Sequence, residues 1–236
     1  KHVFIEKPIT ATIKEADHLI ELANKKELLI QVGHIERFNP AFILLKEKNM
    51  SAQFIEVHRL ASFKSRGDDT SVVLDLMIHD IDIILATIPS KIVDIQANGV
   101  NVITSETDIA NARITFENGC IVNLTASRIS LKEMRKMRIF QKNSYLNIDF
   151  LNKTLEEYNL TNNQSTHGDS QLFPYDDKGN KFIKYTKSNA QQHNALQEEL
   201  KHFANSIQNN AQPLVNGTVG RDALDVALII QEKING

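Results

Sequence analysis

The chain has no tryptophan, one cysteine, five prolines and nine glycines in 236 residues. A lone cysteine excludes an internal disulfide framework and fits a reducing cytoplasm. Cys120 follows Glu117-Asn118-Gly119, a hairpin signal, and reads as a small strand residue rather than a nucleophile. No two glycines are separated by a single residue. The Gly-x-Gly-x-x-Gly phosphate loop that opens a dinucleotide-binding unit is therefore not in this sequence. An excess of charge of one sign is also lacking: 27 basic residues stand against 29 acidic ones, for a net charge of −2. Nothing in that balance points to nucleic acid or an anionic membrane as partner. The longest apolar stretch, residues 72–88, is interrupted by Asp75, His79, Asp80 and Asp82. No run reaches the roughly 18–20 residues of a membrane span.

That interrupted stretch is the most informative one present. Asp75, His79 and Asp82 stand at i, i+4 and i+7, which on a regular helix stacks them on one face. Isoleucine, leucine and valine fill the other faces. Burying two carboxylates and an imidazole costs several kcal/mol each unless they are paired or face a polar cavity. The stripe reads either as a set of satisfied structural pairs or as one wall of a site. A divalent-metal site is a weaker reading of the same three residues, because the His-Glu-x-x-His spacing is absent. No metal is expected.

A second motif lies at residues 3–8, Val-Phe-Ile-Glu-Lys-Pro, a short apolar strand that ends in a charged pair and a proline. Strand ends are where open α/β sheets place ligand-binding groups. Glu6-Lys7-Pro8, Val32-Gly33-His34-Ile35-Glu36-Arg37-Phe38-Asn39-Pro40 and Asp75-Leu76-Met77-Ile78-His79 occur in an order and at a spacing that resemble the Gfo/Idh/MocA oxidoreductases. The resemblance covers nearly the whole chain. The middle and last stretches look most like members that oxidise nucleotide-linked amino sugars.

The resemblance implies an NAD- or NADP-dependent dehydrogenase that oxidises a hydroxyl of a sugar or nucleotide-sugar to a ketone. It assigns Lys7, Asp75 and His79 to the reaction, with the choice between Lys7 and His79 as base left open. Glu6, Lys7 and Pro8 would lie by the nicotinamide, and Arg37 and Asn39 would reach the cofactor or the substrate. For the last two an exposed arginine and a helix N-cap before Pro40 serve nearly as well. Arg128 can meet a substrate phosphate, or be an ordinary arginine at a strand end. His34 and Asp82 would support these groups from behind. Relatives of this kind also begin with a dinucleotide-binding domain, so the glycine loop is expected upstream of Lys1 and this chain alone is expected to be inactive. The other readings are a substrate-binding and oligomerisation module, an inositol or polyol dehydrogenase, and a dinucleotide sensor; retention of Lys7, Asp75 and His79 argues against the last.

Periodicity gives the architecture. Thr12 to Lys26 is amphipathic, with a Thr12/Glu15 capping box, and Leu28 to Val32 reads as a buried parallel strand. A short helix is expected from Pro40 to Lys48, a strand over Phe54 to Ala61 and a polar loop over 62–70. Strands follow at Ile92 to Asn98, Ile109 to Phe116, Cys120 to Ser127, Met134 to Gln141 and Tyr145 to Asp149. Asn159 to Lys181 reads as a long loop, and helices near Ala190 to Asn209 and Val219 to Ile234 close the chain. The fold class is α/β in the α+β sense. Residues 1–33 form the end of a Rossmann-type domain. Residues 34–236 form a mostly antiparallel sheet covered by helices on one face. By resemblance the open face packs against a second copy.

Overall fold

The short apolar strand β1 (Val3–Glu6) pairs in parallel with β2 (Ile30–Gly33), and α1 (Ile13–Lys25) connects them. Thr12 caps α1: its hydroxyl accepts from the Glu15 amide, and the Glu15 carboxylate accepts from the Thr12 amide. This computed structural model describes residues 1–63, 69–162, 170–175, 181–191 and 193–236. Lys64, Arg66 and Gly67 of the expected polar loop, and Gly168 and Gly179 further on, lie outside the described residues.

After β2 come a 3₁₀ turn (Ile35–Phe38), α2 (Pro40–Lys46) and β3 (Phe54–Leu60). A π-helical turn (Val73–Met77) runs directly into α3 (Ile78–Thr87). The strands β4 (Ile92–Val100), β5 (Ile109–Phe116), β6 (Ile121–Ser127), β7 (Met134–Gln141), β8 (Ser144–Asp149), β9 (Thr154–Thr161), β10 (Gln171–Pro174) and β11 (Phe182–Asn189) follow. Two helices, α4 (Ala195–Gln208) and α5 (Gly217–Asn235), close the chain.

The nine strands from β3 onward form one sheet in the order β10-β11-β9-β8-β7-β3-β6-β5-β4. Every pairing is antiparallel except β3 with β6. Alternation sorts the two faces. Ile55, Val57, Ala112, Ile114, Val122, Leu124, Met137, Ile139 and Ile148 point into a core shared with α2, the π-helical turn, α3 and α5. The other face carries Glu56, His58, Asn111, Arg113, Asn123 and Thr125. A ladder of rings from Phe54 through Phe140, Tyr145 and Tyr158 to Tyr185 also belongs to the sheet, with neighbouring centroids 4.9–5.9 Å apart.

One expectation needs correction. The stretch from Asn159 to Lys181 is not one long loop: β9 runs to Thr161 and β10 occupies Gln171–Pro174. Their polar, half-exposed sequences hide the strand period, and pairing with β11 supplies the order. The first layer also draws on residues from later in the chain. Its core of Ile9, Ala16, Ile30 and Val32 is completed by Phe38, Val215 and Leu224, and the Val32 amide donates to the Val215 carbonyl at 2.9 Å. Thus the chain returns from the large sheet to finish the small one, and α5 packs against both. Among the described residues no helix is long and apolar enough to cross a membrane.

Candidate active site

Lys7 leaves the end of β1 and reaches the π-helical turn. Its Nζ donates to the Asp75 main-chain carbonyl at 2.5 Å and to Asp75 Oδ1 at 3.2 Å. The ammonium is largely covered, whereas Asp75 is 40% exposed. Wider π turns recur at functional sites because they re-aim side chains. Here the turn separates the three residues of the expected stripe. Asp75 goes to Lys7, while Asp82 is buried and accepts from Arg37 Nε at 2.6 Å. His79 lies between them, edge-on to His34, with ring centroids 6.1 Å apart and planes at 85°. The three groups therefore do not converge on one point, and no cluster of three metal-ligating side chains occurs among the described residues.

Both histidines are held in the neutral form. Burial lowers the pKa of His79 far below the usual imidazole range, and Arg59, Lys7, His34 and Arg135 push it further. Burial likewise lowers His34, with Arg37 and Lys7 adding to the effect and Asp82 opposing it. Each ring is thus neutral near pH 7. His34 is fully buried, and neither of its ring nitrogens has a hydrogen-bond partner. His79 Nδ1 is buried and unpartnered too, although the residue keeps part of its surface open.

Behind the histidines stands an ion network that the sequence motifs did not announce. Arg59 on β3 makes a two-pronged contact with Asp80, at 2.7 Å on each oxygen, and its third donor meets Glu36 Oε1 at 2.9 Å. All three are buried. The ion pairs keep Glu36 below the usual carboxylate range, outweighing the burial that would raise it. A signal existed: Arg59 falls in the inward phase set by Ile55 and Val57, where a strand facing a core carries apolar side chains. Glu199 on α4 is a second such residue, 1% exposed, with Oε1 unpartnered.

Several sequence expectations meet different geometry. Arg37 was expected at the cofactor; it is instead buried against Asp82 and lies over the Phe42 ring. Asn39 takes the second of its two expected places, the N-cap before Pro40: its Oδ1 accepts from the Ala41 amide, and its Nδ2 donates to Glu36 and to the Phe150 carbonyl. Arg128 was expected at a substrate phosphate; it is buried, donates to the Thr70 carbonyl and lies 3.9 Å from Asp108. In each case the arginine or amide satisfies a neighbouring polar group of the protein. Glu6 does lie by Gly33: a Cβ on that glycine would meet Glu6 Oε2 at 2.7 Å. The carboxylate thus folds over the end of β2, next to His34.

Comparison with known proteins gives this arrangement a family. Residues 1–34 match the model described as "oxidoreductase family, NAD-binding Rossmann fold", and residues 50–144 match that of the GFO/IDH/MocA C-terminal domain. UDP-N-acetylglucosamine 3-dehydrogenase of Acidithiobacillus ferrooxidans is 36% identical over 231 residues, 98% of this chain and 70% of the relative. The chain belongs to the Gfo/Idh/MocA oxidoreductase family. Its chemistry is that of a nicotinamide-dinucleotide-dependent dehydrogenase. A solved structure of the Acidithiobacillus enzyme superposes with a TM-score of 0.88 at 35% identity, covering 99% of this chain and 71% of that one. Myo-inositol 2-dehydrogenase of Thermotoga maritima is 24% identical over 241 residues, 95% of this chain and 67% of the relative.

The residues present fit the reactive end of such a cofactor. His34 and His79 carry buried ring nitrogens without partners, Glu6 closes over Gly33, and the Lys7 ammonium is held by Asp75. The residues that would meet the cofactor's diphosphate in a Gly-x-Gly-x-x-Gly loop are not in this sequence.

Proposed function

We propose that this family member oxidises a hydroxyl of a nucleotide-linked amino sugar, of the UDP-N-acetylglucosamine type, to a ketone. Residues 1–33 would serve the cofactor side and residues 34–236 the substrate side. The observation that carries the reading is the contact of Lys7 at the end of β1 with Asp75, on the same helical stretch as His79. The 36% identity to an enzyme named for that substrate supports the choice of sugar.

A bound nicotinamide would supply the acceptor for the hydride of the carbinol carbon. The chain's own residues handle the proton and the charge. Lys7 donates from Nζ to the reacting oxygen and stabilises the alkoxide character that develops there. Asp75 fixes the direction of that ammonium. His79, neutral at working pH, accepts the hydroxyl proton on its ring. Glu6 and Pro8 border the nicotinamide side. Whether the cofactor is NAD or NADP depends on residues that contact its adenosine ribose.

A panel of UDP-N-acetylglucosamine, other UDP-sugars and free polyols, offered with NAD and with NADP, tests this. Nicotinamide reduction with UDP-N-acetylglucosamine is expected. Reduction with polyols alone would transfer the reading to inositol-type substrates, and no reduction with any of them would end it.

The open sheet face is proposed to pack on a second copy of the chain. Its aromatic ladder supports this, and light scattering of the intact protein tests it.

A further inference from the structure

Arg135 sits at the start of β7, and the ion network leaves it only partly engaged. Its Nη1 is 3.5 Å from Glu36 Oε1, an oxygen that Arg59 already holds at 2.9 Å. Its side chain is 43% exposed, and it lies close enough to His79 to depress that ring's basicity. Arg135 is therefore tied to Glu36 on one side and open to solvent on the other.

The other oxygen of Glu36 leads outward. It accepts from Asn39 Nδ2 at 2.8 Å. Asn39 in turn lines an open groove of about 520 Å³ with Lys153 and His193. The Phe150 amide donates to the Arg135 carbonyl at 2.9 Å, which anchors the turn carrying Lys153 beside Arg135. His193 Nε2 is 3.0 Å from the Phe38 carbonyl, which holds the opposite wall. A second groove of about 580 Å³ shares Pro40 and His193 with the first, and adds Ile43, Leu44 and Asn189. From Glu36, which meets both Arg135 and Asn39, the surface thus leads to a groove that carries Lys153 and on to a partly apolar one.

We infer that this track is the binding site for the nucleoside diphosphate portion of the substrate. Arg135 and Lys153 would hold the diphosphate, and the base would lie toward Ile43, Leu44 and Asn189. Arginine suits the first position, because its planar fork can meet two phosphate oxygens at once. The amide and hydroxyl groups of Asn189 and Ser188 can pair with the edge of a base. Glu47 on the far wall accepts from ribose hydroxyls. The proposal rests on the nucleotide-sugar reading above and says which residues distinguish such a substrate from a free sugar.

The test uses UDP as probe, with binding to the intact protein measured calorimetrically in the presence of saturating NAD. UDP is expected to bind, and Arg135→Gln and Lys153→Gln are each expected to weaken it about tenfold or more, the loss of one charge-assisted contact. Retained NAD affinity shows that each variant is folded. Parent-like UDP affinity in both folded variants would overturn the assignment even if the parent oxidises UDP-N-acetylglucosamine. Displacement of UDP by NAD would overturn it as well, since the diphosphate held here would then be the cofactor's. If the parent neither binds UDP nor oxidises UDP-sugars, yet oxidises polyols, the nucleotide-sugar reading falls and takes this inference with it.

Discussion

Lys7 Nζ donates to both the main-chain carbonyl and the carboxylate of Asp75, so one ammonium ties the end of β1 to the π-helical turn. The two oxygens hold two of its hydrogens and leave the third free for a reacting oxygen. Lys7→Ala removes the charge that would stabilise a developing alkoxide, and kcat is expected to fall by about 10²–10⁴-fold. Lys7→Arg is not expected to rescue, because a planar guanidinium cannot present one compact point charge at the same place. Steady-state nicotinamide reduction measures both variants. A parent-like rate for Lys7→Ala would remove Lys7 from the reaction.

Arg59 answers two buried carboxylates at once, Asp80 with two donors and Glu36 with a third. Replacing it with methionine keeps the volume but leaves both carboxylates buried without their cation. Removing one partner of such a network costs about 3–5 kcal/mol. Urea denaturation of Arg59→Met is expected to show a loss of that order. A change under about 1 kcal/mol would mean that the carboxylates find other partners or take up protons.

Strand and helix periods made most of this fold legible before any coordinates. The alternation in Phe54–Leu60 and the capping box at Thr12 both sit where the pattern puts them. The polar β9 and β10 were not legible, because their order comes from pairing with β11 and not from an apolar stripe. Lys7, Asp75 and His79 could be singled out by residue type and spacing. Their true arrangement could not, because an i, i+4, i+7 argument assumes 3.6 residues per turn, and the turn at Val73–Met77 is wider. Asp82 consequently meets Arg37 while Asp75 meets Lys7. Asn39 and Arg128 show the opposite lesson: each polar side chain in a suggestive motif turned out to satisfy a nearby buried group.

Glu199 and the two site histidines set opposite pH limits on stability. Burial first, then Glu6 and Asp82, raises the Glu199 pKa from 4.5 to about 8. Its folded pKa lies above its unfolded value, so its favourable contribution is complete below pH 4.5 and is lost as pH rises through 8. For His34 and His79 the folded pKa lies below 6.5, so their contribution is complete above 6.5 and declines as pH falls. Glu199→Gln removes only the alkaline limit. Thermal melts should place the variant above the parent by ~4 °C or more near pH 9, with the gap closing near pH 5. An equal gap at both pH values would assign the effect to packing instead of ionisation.

Gly220 on α5 fixes how closely the last helix approaches β2. A Cβ there would lie 2.5 Å from Val32 Cγ2 and 2.9 Å from Val32 Cβ. Val32 is β-branched and fully buried, so it cannot rotate away. Alanine would favour the helix by about 1 kcal/mol, but overpacking of this kind costs about 1–3 kcal/mol. With a β-carbon in the way the clash is expected to win, and Gly220→Ala should lower stability in urea. Val32→Ala removes both γ-carbons and relieves the closest contact, so the double variant should lose less than the sum of the two single ones. Strict additivity would show that α5 shifts bodily without strain, and that its distance from β2 is set elsewhere.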